Sequence, residues 1–251
     1  MGFRNYIWDE AWELNVSRGK VRGAESIIKF GENLDVDSAL ETVWNVGGLY
    51  TYLTSAATVT VTSDDVNDSA SGTGARTVTV EGLDANYNQV SETLTVGGGA
   101  GSVEFLRVFR AFVASAGTSD TNEGTVTIAS GGTTLARIDI IGFGLTTTGL
   151  GQTLMAMYTV PAGYTLYVWQ LDVSTAKTAG DVFFACRENG GNNVWRTKDV
   201  IHTNLNNVER KYKFPLKIAE KSDIEIRAIS EGQNMKVAAT LDMILIQNET
   251  E

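Results

Sequence analysis

Thr58-Val59-Thr60-Val61-Thr62 decides the fold. It reads polar, apolar, polar, apolar, polar. A period of two sends successive side chains to opposite faces of a pleated strand. The same beat returns at Thr77-Val78-Thr79-Val80, Thr93-Leu94-Thr95-Val96 and Thr125-Val126-Thr127-Ile128, set among loops rich in Gly, Ser, Asn and Asp. Each such strand buries one face, so two sheets must stack to shield both inner faces. No segment offers a long amphipathic helix. The expectation is an all-β chain: two β-sandwich or jelly-roll-like blocks preceded by an extended N-terminal arm.

The arm spans residues 1–38. It mixes Trp8, Trp12 and Phe30 with Arg4, Arg18, Lys20, Arg22 and Lys29. Large aromatics beside basic residues suit an element that docks on a partner, so Trp8, Trp12 and Phe30 are the candidate interface residues. The same aromatics also suit packing on the chain's own core. The first block, 39–146, holds the Thr/Val strands. Arg76–Glu81 and Gln89–Val96 flank Gly82-Leu83-Asp84-Ala85-Asn86 as a hairpin. Thr146 to Gly151 reads as a linker into the second block, 147–251. There Met155–Val160 and Tyr164–Val173 read as a hairpin about Pro161-Ala162-Gly163, and Val182–Arg187 and Val194–Lys198 as another about Asn189-Gly190. Inner-face candidates in this block are Leu166, Val168, Leu171, Val173, Phe183, Ile224, Ile226, Leu241, Ile244 and Ile246. Long Thr/Val strands also present edges. A trimer or another closed ring of identical copies would cover them.

Composition narrows the function. Hydrophobic residues make up 43% of the 251, enough for real cores. The net charge of −10 disfavours nucleic acid, which needs clustered Lys and Arg. Nothing approaches the length of a membrane span, and Met1 to Leu14 does not read as a secretory signal. The single cysteine, Cys186, sits in an apolar run and reads as a small buried hydrophobe made in a reducing compartment.

Reactive chemistry is thin. His202 is the only histidine and has no nucleophile motif beside it. The loop Asp64-Asp65-Val66-Asn67-Asp68-Ser69 is rich in oxygen ligands. Yet Ala70 stands where the calcium loop needs its turning glycine, and Arg76 where it needs its closing glutamate, so the loop reads as a solvated turn. Asp172, Asp181, Glu188 and Asp199 are scattered carboxylates for a glycan-cleaving pair. Trp169, Trp195, Tyr164 and Tyr167 offer either a sugar-stacking face or intersheet packing. The Gly-rich runs match no nucleotide fingerprint. No catalytic residue, metal site or cofactor is expected.

Four stretches carry a resemblance. They are Ser17-Arg18-Gly19-Lys20-Val21 with Lys29-Phe30-Gly31; Ser63 to Asp68 with Gly72 to Val78; Gly82 to Tyr87 with Ser91-Glu92-Thr93; and Tyr158 to Gly163 with Glu220 to Ile224. In this order they resemble virion structural proteins of tailed bacteriophages, especially environmental and marine ones. The resemblance implies a non-enzymatic subunit made in the host cytoplasm and carried in the virion. It would be a capsid decoration or head-associated protein, or a fibre or connector subunit. The partners implied are copies of itself and other virion proteins, such as major capsid or tail proteins. A host-surface glycan, bound by a fibre or baseplate module, is the alternative.

Overall fold

The computed structural model describes residues 11–143, 146–189 and 193–249, with residues 142, 143, 146 and 147 described by backbone alone. Among the described residues one short helix, α1 (Trp12–Ser17), precedes eighteen strands. These are β1 (Ala24–Val36), β2 (Glu41–Thr42), β3 (Ala57–Ser63), β4 (Ala75–Leu83), β5 (Gln89–Thr95), β6 (Ala100–Phe105), β7 (Arg107–Ala116), β8 (Val126–Ser130), β9 (Thr133–Ile138), β10 (Ile140–Phe143), β11 (Thr146–Gly149), β12 (Met157–Thr159), β13 (Tyr164–Ala176), β14 (Gly180–Arg187), β15 (Trp195–Thr203), β16 (Asn207–Ile218), β17 (Asp223–Ser230) and β18 (Met235–Gln247). The chain is all-β, as the alternation predicts.

Two sandwiches divide it. In the first, sheet β6-β3-β8-β9 faces sheet β5-β4-β7. The Thr/Val code works as written here. Val59, Val61, Val78, Val80, Val126 and Ile128 are fully buried. Their threonine neighbours point outward and bridge the surface, Thr79 to Thr93 at 2.7 Å and Thr77 to Ser115 at 2.6 Å. The Gly82–Asn86 hairpin forms, with β4 and β5 antiparallel from Thr77↔Thr95 to Leu83↔Gln89.

The second sandwich stacks β1-β18-β13-β16 on β12-β17-β14-β15. β2 and β12 lie end to end along the same edge of β17. β2 pairs at Arg227 and Ala228, β12 at Asp223 to Glu225. Between them Val43 N–H donates to Ile226 O (2.8 Å) and Ile226 N–H to Ala156 O (2.9 Å). They are therefore one strand position, cut in two by the first sandwich. Counted that way, eight positions run first–eighth–third–sixth in one sheet and second–seventh–fourth–fifth in the other, which is the double Greek key of a jelly roll. The two cut ends bind one another. Ala156 N–H donates to Val43 O (3.0 Å), Asn45 N–H to Leu154 O (3.3 Å), and Trp44 bridges Met155. Gly31 is required at this neck, because a Cβ there would lie 2.2 Å from Ala156 N.

Several expectations shift. Residues 24–36, read as part of an extended arm, form a full edge strand. β18 offers an open edge, and β1 pairs with it from Ala24↔Ile246 onward. The expected linker at Thr146 lies inside the β10–β11 hairpin, and the chain passes between sandwiches at 43–45 and 154–156 instead. The Pro161-Ala162-Gly163 turn is a corner, not a hairpin, since β12 and β13 belong to opposite sheets. Leu166, Val168, Leu171, Val173, Ile224, Ile226 and Leu241 face the core as expected. Phe183, Ile244 and Ile246 do not. Phe184, Met243 and Leu245 take the inward positions, a slip of one residue that exchanges faces.

Candidate assembly surface and interdomain junction

The densest chemistry lies where the sandwiches meet. Arg107 opens β7 in the first sandwich. Asp223 opens β17 in the second. Arg107 donates from Nε to Asp223 Oδ1 (2.8 Å) and from Nη2 to Oδ2 (3.2 Å), with both side chains buried. Its Nη1 also donates to the carbonyls of Leu53 (3.1 Å) and Leu106 (2.9 Å). Asp223 further accepts from Arg187 Nε (3.0 Å) and Thr159 Oγ1 (2.6 Å). Beside it, Glu225 accepts from Thr42 Oγ1 (2.9 Å) and pairs with Arg227. Three guanidiniums thus face two carboxylates. The surplus positive charge is spread over π-faces: Arg187 lies 4.3 Å from the Tyr52 ring centroid, and Arg227 lies 4.2 Å from that of Trp195.

The electrostatics follow from burial. Burial disfavours the Arg107 charge, but the hydrogen bonds and charge of Asp223 outweigh it and raise its pKa. Burial raises Glu225, against the pull of Arg227 and Thr42. Burial first, then Glu225 and Asp223, pushes the Tyr52 phenol well above its ordinary value. The Tyr52 hydroxyl has no hydrogen-bond partner among the described residues.

Two of the four stretches that carry the resemblance converge on this junction. In the hairpin turn, the Asp84 carboxylate accepts from the amides of Asn86 (2.8 Å) and Asn88 (2.9 Å). This holds Tyr87 at a φ of 65°, and its carbonyl accepts from Ala162 N–H at 2.9 Å. Gly163 N–H donates to Glu220 Oε2 (2.6 Å), and Lys221 N–H to Val160 O (2.7 Å). The residues 82–87, 158–163 and 220–224 are therefore joinery between the sandwiches.

The acidic loop is a staple within the first sandwich. Buried Asp68 accepts from the amides of Ala75 (2.6 Å), Glu123 (2.9 Å) and Gly124 (2.8 Å) and from Ser63 Oγ (2.7 Å). Asp64 accepts from Thr125 N–H (2.7 Å). Among the described residues no three His, Cys, Asp or Glu gather as metal ligands.

The scattered acid–base candidates do not converge. His202 Nδ1 sits 2.6 Å from Asp181 as an exposed cross-strand pair. Hydrogen bonding to Lys198, then its charge and that of Arg196, holds Glu188 below the usual carboxylate range. Asp199 accepts from the Tyr212 hydroxyl (3.1 Å), and Asp172 from Gln170 (2.7 Å). Trp195 lies between Arg187 and Arg227, so it is no open sugar platform. Burial raises the Cys186 thiol to about 11, leaving it protonated and inert.

Of the candidate interface residues, Trp8 lies outside the described residues. Trp12, on α1, packs its ring 6.3 Å from that of Trp169, the bulged residue of β13. Phe30 alternates with buried Lys29 and Gly31, so it faces outward from β1 together with Ile28. Trp12, Ile28, Phe30 and Trp169 are all exposed. They make a partly apolar outer face on the β1-β18-β13-β16 sheet. Among the described residues, no helix is long and apolar enough to cross a membrane.

No family model matches the chain, and no curated protein matches it. Among solved structures it is similar to that of the infectious bursal disease virus Gx strain, at 13% identity over 89% of this chain and 71% of that one, with a TM-score of 0.26. The VP2 subviral particle of the same virus gives 11% identity over 89% and 72%, with a TM-score of 0.22. Scores this low do not establish a shared fold, and the jelly-roll assignment rests on strand order alone.

Proposed function

We propose that this chain is a non-enzymatic structural subunit of a virion, with the jelly roll as its packing layer and the inserted sandwich as a rigid outgrowth. The observation that carries this is the junction itself. The buried charge at the junction, the kind of cluster that serves chemistry elsewhere, is committed to locking two sandwiches into one shape. The resemblance to tailed-phage virion proteins supports the same reading, and two of the stretches that carry it reach the junction, one of them supplying Asp223 and Thr159. In this reading the chain is a capsid decoration or head-associated subunit, or a fibre or connector subunit. It packs with its own copies in a trimer or other closed ring. It docks on a major capsid or tail protein through Trp12 and Phe30, whose exposed rings suit the centre of an interface.

The test is to locate the chain in purified particles by electron microscopy. Density for both sandwiches at a repeated position is the expected result. A chain found only in the soluble fraction of infected cells defeats the proposal. Binding to a host glycan has weaker support, because Trp195 is enclosed by two arginines.

A further inference from the structure

β16 is the outer strand of its sheet, and it carries an unusual knob. Opposite Val168 to Gln170 of β13, its pairing jumps from Lys211 to Leu216. The intervening residues, Tyr212-Lys213-Phe214-Pro215, bulge out. Phe214 is left 80% exposed, with the Lys213 ammonium 5.9 Å from its ring centroid. Lysines, a proline and a bulge block strand pairing on this edge, so the ring is not there for sheet extension. A lone exposed phenylalanine needs no explanation. One raised on a bulge amid Arg210, Lys211, Lys213 and Lys217, in a chain of net charge −10, has the form of an anchor. Arg210 is paired with Asp199, and Lys211 with Glu209.

At the other edge of the same sheet lies its complement. Between β1 and the β9–β10 corner is a groove of about 340 Å³ lined by Leu34, Ile140, Leu150 and Leu154, with Glu32 and Asp35 among its walls. Leu34 and Ile140 are exposed. Arg137 in the same groove is neutralised by Asp139 at 2.6 Å, so Glu32 and Asp35 leave the groove acidic. The volume accommodates a phenyl ring, and the charge suits a ring flanked by lysines.

We infer that Phe214 of one copy seats in the Leu34–Ile140 groove of a second copy of this chain, with Lys213 and Lys217 meeting Glu32 and Asp35. The contact deepens the subunit assembly proposed above and rests on it. Knob and groove lie on different edges of one sheet, which lets each copy use its knob on one neighbour and its groove on the other, a heterologous contact. Such a contact closes into a ring or runs on as a chain.

The test uses the full chain in sedimentation velocity. Phe214→Asp and Leu34→Asp change exposed side chains, so both variants fold. Each alone should associate about thirty-fold more weakly or worse than wild type, the scale of losing a central aromatic anchor. Mixed together they should form one-to-one dimers, because each still offers the half the other lacks. Val66→Asp, which alters another exposed apolar residue, should associate as wild type does. A silent mixture, a Phe214→Asp variant that assembles normally, or a wild-type chain monomeric at its highest soluble concentration overturns the contact. Particle localisation is read separately. A chain present in virions whose Phe214→Asp variant still assembles sinks this contact and leaves the structural role standing.

Discussion

Asp223→Ala should be the most damaging polar truncation in the molecule. It removes the acceptor of both Arg107 contacts, at 2.8 and 3.2 Å, and of the Arg187 and Thr159 bonds. Buried Arg107 and half-buried Arg187 then lose their shared counter-charge. Removing one partner of a buried ion pair costs about 3–5 kcal/mol, and the loss here falls at the upper end because two arginines share the carboxylate. A chain of this size loses about 2–4 °C of melting temperature per kcal/mol, so a loss near 5 kcal/mol shifts it by roughly 10–20 °C. Arg107→Ala should cost less, about 2–3 kcal/mol, since Asp223 keeps Arg187 and Thr159 and only charge-assisted bonds are lost. The two substitutions touch one network, so the double variant should fall short of their sum. Arg107 belongs to one sandwich and Asp223 to the other. The Asp223→Ala protein should therefore melt in two steps by calorimetry where wild type melts in one. Urea titration followed by tryptophan fluorescence gives the magnitudes. A cost under about 1 kcal/mol, the level of a surface ion pair, or an Arg107→Ala cost larger than that of Asp223→Ala, would refute the clamp.

Three further outcomes follow from single groups. Burial first, then Arg110, lowers the Lys29 pKa to about 7. The folded chain thus holds it neutral well below its ordinary 10.5, so its contribution is complete at high pH and lost as pH falls through 7. Lys29→Met should be more stable than wild type at pH 6 by a few kcal/mol, with the gain vanishing by pH 10; chemical denaturation across pH checks this, and a pH-independent difference contradicts it. Tyr52→Phe removes a buried hydroxyl that has no partner among the described residues, while keeping the ring under Arg187. It should raise stability by about 1 kcal/mol or leave it unchanged, and a loss in the same titration would show a partner for that hydroxyl. Asp68→Ala strips the shared acceptor from the Ala75, Glu123 and Gly124 amides. Hydrogen exchange should accelerate there while the β1–β18 amides stay protected; uniform acceleration would mean that the loop is not a local staple.

The sandwich class is legible because its signal is local. In β3 and β4 each valine has a polar residue on either side, threonine at all but Glu81, and period-two alternation leaves one solution. β18 defeats the same rule. Met243-Ile244-Leu245-Ile246 is apolar at every position, and Ile244 is nearly as buried as Met243 on the opposite face, so the sequence there does not choose between parities. Pro161-Ala162-Gly163 has hairpin chemistry, with Gly163 at a φ of 76°. Whether such a turn folds a strand back or carries it across the sandwich depends on β17 and β18, far along the chain. The junction was illegible for the same reason: Arg107 and Asp223 lie 116 residues apart, and nothing local to either announces the other. The one available hint was that the stretches carrying the resemblance were turns with fixed polar residues, a pattern that fits joinery as well as recognition.

The paired crossing at Asn45 and Leu154 has an architectural consequence. The inserted module leaves and re-enters its host strand one hydrogen bond apart, so excising it opens no gap that a tight turn cannot close. An ancestor lacking the insert is sterically reasonable, and lineages can trade this cargo without redrawing the scaffold beneath it. For engineering, the same seam is a graft point where foreign folds whose termini lie close together can be mounted outward.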